Sequence, residues 1–545
     1  MTSPEQRMAD LLKTFGEPAA STAHLLCDRH PADAVAFTLV GKDLTGHDMT
    51  FGELRDRSAR MAGALADLGV GVGDRVATLM GKSAELLVAT LAIWRLGAVQ
   101  VPLFTAFAPP AIALRTTGNG TKVVITDADQ RPKLDLESGF PSERPWRIVT
   151  TGPVEGDDLG FAALEAGHTP QAEPVALGGD ATIVELFTSG TAGTPKAVPI
   201  PLRAVAGFVM YQEFGLDQRP EDVYWNAADP GWAYGLYYAI IGPLAIGQRS
   251  LLFNSLFSAE STWAVLSRYG VTNFTAGPTV YRKLRASELP APDDLRLRCC
   301  SAAGEPLPPD VVDWARETLG VPVRDHYGST ELGMAICHAW HPALRTDIKP
   351  GSMGRPMPGW AVKVLREDTN SAVAKTDIPG RVVIDIPASP LMWFQGYRDA
   401  PEQTAEKFSP DGRWFYTGDT AARDEEGDLF FSGRGDDVIL MAGYRIGPFE
   451  VESVLLEHPA VVEAAAVGVP HEEYGEMVEA FVVLRPGDAE PGDALAAELQ
   501  QLVRERFATH AYPRSIHFVA ELPKTSSGKT QRFLLRPQAS SGRGR

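Results

Sequence analysis

Cysteine is scarce in this sequence. The 545 residues include four, Cys27, Cys299, Cys300 and Cys337, and no two form a C-x-x-C pair. That number and spacing exclude a disulfide framework and a zinc ribbon, and fit a reducing, cytoplasmic compartment. Long hydrophobic runs are also lacking. The most apolar stretch, "GLYYAIIGPLAIG" (235–247), is too short to span a bilayer and is broken by Gly242 and Pro243. The N-terminal "MTSPEQRMADLLKTFGEP" has no apolar core followed by a cleavage site, so it does not read as a secretory signal. Positive charge is in deficit: 51 Lys and Arg against 69 Asp and Glu leave a formal charge of −18. Such a chain is a poor partner for nucleic acid or an anionic membrane, yet a local basic site can still take an anionic small molecule. No period of repetition is visible.

What is present is ordinary for a globular protein: 44% hydrophobic and 22% charged residues. The length predicts two or more domains. "VAFTLV" (35–40), "RVATLM" (75–80), "AVQVPL" (98–103) and "KVVIT" (122–126) read as strands. Between them, 51–69 sets Phe51, Leu54, Met61, Leu65 and Leu68 on one helical face, and 84–97 reads as a second helix. Strands alternating with helices over the first 430 residues predict a largely parallel sheet covered on both faces. The composition shifts at "RDEEGDLFFSGRGDD" (423–437), which predicts a boundary there. Beyond it, Pro448 suits a first helical position with Glu450 and Glu452 in the first turn, and "AVVEAAAVGVP" and "VEAFVVL" read as strands. The predicted division is 1–435, 436–538 and a disordered tail, 539–545.

One loop stands out. The apolar strand "IVELF" (183–187) runs into "TSGTAGTPK" (188–196): Thr188, Ser189, Gly190, Thr191, Ala192, Gly193, Thr194, Pro195 and Lys196. It is not a Walker A loop, which needs Gly before the Lys and Ser or Thr after it; here Pro195 precedes and Ala197 follows. "PKTSSGKT" (523–530) ends correctly but has Pro523 where the first Gly belongs. Small residues, hydroxyls and a lysine still suit a phosphate, because backbone N–H groups can approach an anion closely. Alone, the segment reads equally well as a flexible surface loop.

Other segments follow in order: "AGEPL" (303–307), "YGSTE" (327–331), "YTGD" (416–419), "GRGDDVILMAGYRIGPFEVE" (433–452) and "LPKTSSGKTQR" (522–532). Together with the loop they resemble the acyl-adenylate-forming superfamily. "DPGW" (229–232) and "GYRIGPFEVE" resemble its acetyl-CoA and medium-chain acyl-CoA synthetase branch. The resemblance implies a large multi-sheet α/β N-terminal domain and a small mobile α+β C-terminal lid. It implies ATP and Mg²⁺ as cofactors, with coenzyme A as co-substrate, and an acid-activating ligase reaction. Thr188 to Lys196 would hold the triphosphate. Thr330 would touch the α-phosphate and Glu331 would hold Mg²⁺, a cation suited to a carboxylate. Gly304, Glu305, Pro306, Asp325, His326 and Tyr327, followed by Gly328 and Ser329, would line the nucleotide. Asp419 would accept from both ribose hydroxyls. Arg434 would reach the ribose region, Arg445 the phosphates. Lys529, on a Gly- and Ser-rich loop, would bridge the carboxylate and the α-phosphate, with Lys524 a bystander.

For the second step the resemblance implies rotation about Asp436. Ala442, Gly443 and Tyr444 would then border the thiol tunnel, and Tyr512, Pro513 and Arg514 would contact coenzyme A. Some relatives place an Arg where this chain has Tyr474, before Gly475 and Glu476; Arg504 could compensate. His458 falls where relatives bind a peripheral ion, and reads equally as an ordinary helix-end histidine. The acyl pocket would comprise Trp232, Ala233, Tyr234, Ala303 and Gly328. Acetate-specific relatives carry Trp at the last of these, so glycine predicts room for a medium-chain or aryl acid. Tyr237 and Tyr238 read as aromatic core. Two alternatives stand beside the acyl-CoA ligase: an acyl-AMP ligase that loads a separate carrier protein, and a nucleotide-binding homologue without catalysis.

Overall fold

The computed structural model describes residues 3–135, 145–170, 173–188, 195–366, 375–434, 437, 439–441, 444–471, 475–487, 490–506, 511–524 and 530–541. Ser189 to Thr194, Asp436, Ala442, Gly443, Tyr474 and Lys529 lie outside this set, as do the side chains of Arg434, Tyr444 and Arg445.

The chain forms a thirteen-stranded, a seven-stranded and a five-stranded sheet. The Phe51–Asp67 helix starts where Thr50 accepts the Glu53 N–H, and buries Phe51, Leu54, Met61 and Leu65 as its periodicity predicts. The Ala84–Arg95 helix is capped in the same way by Ser83, which accepts from Leu86. Every residue of it except Glu85 is buried, so it lies between layers rather than on the surface. These helices cover strands at 75–79, 99–102 and 121–126, which pair in parallel. The 235–247 run is a buried, irregular helical segment. Among the described residues no helix is long and apolar enough to cross a membrane.

The parallel expectation holds for part of the large sheet: strands at 35–40, 250–253, 224–226, 273–276, 299–303 and 323–329 pair in parallel. It fails at the Gly46–Thr50 edge strand, which is antiparallel to Val35–Val40, and again after residue 329. The strands at 333–337, 352–356, 429–434, 414–423, 380–385 and 362–365 are antiparallel. Three of the connections there, 330–332, 357–361 and 424–428, are too short to carry a crossover helix.

The five-stranded sheet is formed by strands at 439–441, 444–446, 461–471, 475–484 and 515–518. Pro448 opens the Pro448–Leu455 helix, and Glu450 Oε2 accepts the Gly447 N–H at 3.1 Å. The two strands expected from "AVVEAAAVGVP" and "VEAFVVL" are an antiparallel pair, Val461–His471 and Gly475–Leu484. Arg532, at the start of the last helix, donates three hydrogen bonds of 2.7–3.0 Å to Glu452 and lies 3.6 Å from Asp437. Glu452 is 6% exposed, so removing its cation strands a buried charge. Arg532→Ala is expected to destabilise this body by about 3 kcal/mol. Calorimetry of the full chain would then show an earlier transition, and Arg532→Lys a partial recovery; an unchanged profile would refute the estimate.

Candidate active site

The strands on either side of residues 189–194 form a hairpin. The Thr182–Thr188 strand pairs antiparallel with Lys196–Pro201, and Thr188 faces Lys196 across the register. A Walker A loop joins a strand to a helix, so the architecture agrees with the spacing in excluding one. At the hairpin's base Glu185, fully buried, takes Arg75 Nε at 3.0 Å and Arg398 Nε at 2.8 Å on one oxygen. An acid inside the apolar "IVELF" was the sequence signal that such cations must exist. Arg398 also donates its N–H to the Ala197 carbonyl at 2.9 Å. Its neighbour Tyr397 thereby sits over the loop's exit. The Lys196 ammonium lies 5.2 Å from the centroid of the Tyr397 ring, and the Tyr397 hydroxyl donates to Glu331 Oε1 at 2.7 Å. Tyr397 belongs to "WFQGYR", outside every segment singled out in the sequence.

The Val323–Ser329 strand carries the next group. Asp325 is half-buried beneath the Gly304–Leu307 loop, and burial pushes its carboxyl up to about 8 against a weak 3.4 Å donation from the Leu307 N–H. Gly304 has φ +101°, and a Cβ there would meet nothing within 4 Å, so that turn faces open space. Glu305 is fixed from the other side by the Thr279 hydroxyl and Arg282, each at 2.7 Å. Tyr327 donates to Asp419 Oδ2 at 2.5 Å, joining "YGSTE" to "YTGD". Arg434 pairs with Asp419 through its backbone.

His326 is buried and neutral; burial lowers it to about 3. Its Nε2 lies 3.2 Å from the His338 carbonyl, which can only accept, so Nε2 carries the hydrogen. Nδ1 then accepts the Tyr211 hydroxyl at 2.7 Å, and the Tyr211 oxygen accepts from Tyr234 at 3.0 Å. With its hydroxyl committed inward, Tyr234 has its ring to offer a pocket. Trp232 packs on Phe104 with centroids 5.8 Å apart, and Ala303 pairs with His326 across parallel strands. Asp229 is held by the Gly231 N–H at 2.7 Å within its own loop.

Gly328 needs a correction. A Cβ there would stand 2.0 Å from the Gly333 carbonyl oxygen across the hairpin. Glycine is demanded by two backbones in close approach, so the missing side chain does not report room for an acyl group. Tyr237 and Tyr238 lie in the core as expected, and also fix the turn between these strands. The Tyr237 hydroxyl donates to the Thr330 carbonyl at 2.9 Å, and the Tyr238 oxygen accepts the Met334 N–H at 2.8 Å.

Lys524 and Thr530 form an isolated antiparallel bridge, and Gln531 donates to the Pro523 carbonyl at 2.8 Å. Lys524 pairs with Glu463 at 2.5 Å. Arg504 and Arg514 each stack 3.7 Å from the Tyr512 ring centroid, which sets one guanidinium on each face. His458 contacts Glu498 at 3.2 Å and accepts the Ala460 N–H, the partners of an ordinary helix-end histidine.

Comparison with known proteins places the chain among the adenylate-forming enzymes. Residues 25–397 match the family model for AMP-binding enzymes, and 450–529 that for their C-terminal domain. The chain belongs to the AMP-binding enzyme family, within its acyl-CoA synthetases. It is 35% identical over 497 residues to an acetyl-coenzyme A synthetase of Bacillus subtilis, covering 89% of this chain and 84% of that one. A crystal structure of a Brucella canis acyl-CoA synthetase matches with TM-score 0.75 and 42% identity, over 99% of this chain and 98% of that one. The anthranilate CoA ligase AuaEII, in complex with anthranoyl-AMP, matches with TM-score 0.86 and 28% identity, over 96% and 98%.

Proposed function

We propose that this acyl-CoA synthetase activates a medium-chain aliphatic or aryl acid, in preference to acetate, and passes the acyl group to coenzyme A. The observation that carries the nucleotide half is the pair of contacts linking distant motifs: Tyr327 to Asp419, and Lys196 through Tyr397 to Glu331. In the first step a carboxylate oxygen attacks the α-phosphorus of ATP and pyrophosphate leaves. Thr188 to Lys196 hold the phosphates, Thr330 contacts the α-phosphate, and Lys529 bridges the two reacting anions. Fixing both in one geometry removes much of the entropic cost of their encounter. The Gly304–Pro306 turn and Asp325 to Tyr327 hold the base, and Asp419 holds the ribose.

Glu331 fits a nucleotide-borne Mg²⁺. It is 8% exposed, with one oxygen taken by Tyr397. Among the described residues no three His, Cys, Asp or Glu side chains gather as a protein cage. A single carboxylate beside substrate phosphates is the usual arrangement for this ion. When bound, the ion offsets the charge of the departing pyrophosphate.

In the second step a thiol sulfur attacks the acyl carbon, AMP leaves with the carboxylate oxygen, and the thiol proton goes to solvent. The small body turns about Asp436 and presents Ala442 to Tyr444, while Tyr512 to Arg514, with Arg504, meet coenzyme A. The paired cations at Tyr512 support this, being matched to phosphate groups. The acyl preference is supported by the aromatic surroundings of Trp232 and Tyr234 and by small Ala303. Pyrophosphate release should be screened from acetate through dodecanoate and across benzoates, with and without coenzyme A. Turnover at least about tenfold above acetate with a longer or aryl acid is expected, the scale that a few buried methylenes supply. Acetate as the best substrate would overturn the preference.

A further inference from the structure

Lys196 and Glu331 carry opposite charges and both meet Tyr397, yet no ion pair joins them. Tyr397 stands between. Its ring face takes the Lys196 ammonium at 5.2 Å, and its hydroxyl donates to Glu331 Oε1 at 2.7 Å. A cation over a ring and a phenol donating to a carboxylate are both favourable, and each leaves its charged partner able to bind more. An ammonium donates three hydrogens, and a carboxylate has about four acceptor positions, of which the phenol takes one. Were lysine and glutamate in direct contact, each would quench the other, and an incoming nucleotide would first have to part them.

We propose that Tyr397 is a positioning residue for the metal–nucleotide site. It keeps Lys196 and Glu331 apart and aimed, so that phosphate oxygens meet the lysine while the cation they carry meets the glutamate. The surroundings are built for this. Tyr397 is 8% exposed. Its backbone N–H donates to the Thr404 hydroxyl at 2.9 Å. The next residue, Arg398, is tied to buried Glu185 and to the Ala197 carbonyl, so the tyrosine is anchored to the same hairpin that carries Lys196. The ring also packs edge-on against Phe394, with centroids 5.1 Å apart. This rests on the assignment of Glu331 to the metal made above.

The test separates the hydroxyl from the ring. Tyr397→Phe removes the donor and keeps the ring, and Tyr397→Leu removes both. Binding of AMP without metal, of ATP without metal, and of ATP with Mg²⁺ would be measured by calorimetric titration of the full chain, beside Glu331→Gln. Tyr397→Phe is expected to weaken Mg²⁺-ATP about tenfold, the scale of one charge-assisted hydrogen bond. It should leave AMP and metal-free ATP within about twofold, since neither uses Glu331. Tyr397→Leu is expected to weaken metal-free ATP as well, about threefold, through loss of the cation–ring contact. Equal loss of all three ligands in Tyr397→Phe, or no loss of Mg²⁺-ATP, would overturn the proposal. If Glu331→Gln also binds Mg²⁺-ATP normally, the metal assignment itself falls. If it binds poorly while Tyr397→Phe binds well, the tyrosine's role alone falls.

Discussion

Lys529→Ala is expected to lower acid-dependent pyrophosphate release by roughly 100- to 1000-fold, the usual cost of losing one stabiliser of developing charge. Thioester formation from supplied acyl-AMP and coenzyme A should stay within a few-fold of wild type. The asymmetry is the point. Two anions must meet in the first step, and an ammonium between them offsets their repulsion only then. On the proposed rotation, the second step has a thiol attacking and AMP leaving, and the lysine would have been carried away from the reacting atoms. The residues on either side of 525–529 fit such transport as a unit: the Lys524–Thr530 bridge joins them, and Arg532 ties their far side to Glu452 and Asp437. Quenched-flow assays of each half-reaction would measure both numbers. Equal loss in both halves would contradict the rotating-body reading.

Asp419→Ala is expected to injure both halves. The carboxylate accepts the Tyr327 hydroxyl and would accept the two ribose hydroxyls, which persist from ATP through acyl-AMP to the leaving nucleotide. Charge-assisted hydrogen bonds contribute about 1.5–3 kcal/mol each. Loss of two should cost roughly 100-fold or more in affinity for ATP and for acyl-AMP alike. Asp419→Asn keeps acceptors on one atom and should recover part of it. Equilibrium binding of both nucleotides, with circular dichroism to show that the fold persists, would check this. A variant that loses the first half alone would mean that Asp419 acts on the phosphates rather than on the ribose. The two variants are thus diagnostic as a pair.

Much of this was legible in the sequence, for reasons that can be named. The family was legible because six motifs follow one another in its order along the chain; the 188–196 loop alone reads equally well as a flexible surface loop. Helical periodicity located the helix read at 51–69 because its apolar face repeats every three to four residues; the one read at 84–97 is buried nearly all round and shows no such stripe. The antiparallel half of the large sheet was not legible. Short strands such as 352–356, Ser-Met-Gly-Arg-Pro, have no alternation to report their pairing. Nor was Tyr397 legible, since one tyrosine among "WFQGYR" reads as packing until the chain brings it beside residues 196 and 331. Gly328 misled in a different way. Its open side chain suggested space, whereas the constraint is a carbonyl that only the hairpin geometry brings near. His326 resembled a binding residue, and its two nitrogens are both spent on Tyr211 and His338.

The account stands on attack at the α-phosphorus, with AMP as the group the thiol displaces. An acid bearing ¹⁸O in both carboxylate oxygens, turned over with ATP, Mg²⁺ and coenzyme A, tests this directly by mass spectrometry of the nucleotide and phosphate products. One labelled oxygen per turnover in AMP, with unlabelled pyrophosphate, is the predicted result. Label in inorganic phosphate with ADP as the nucleotide, or no transfer of label at all, would contradict it.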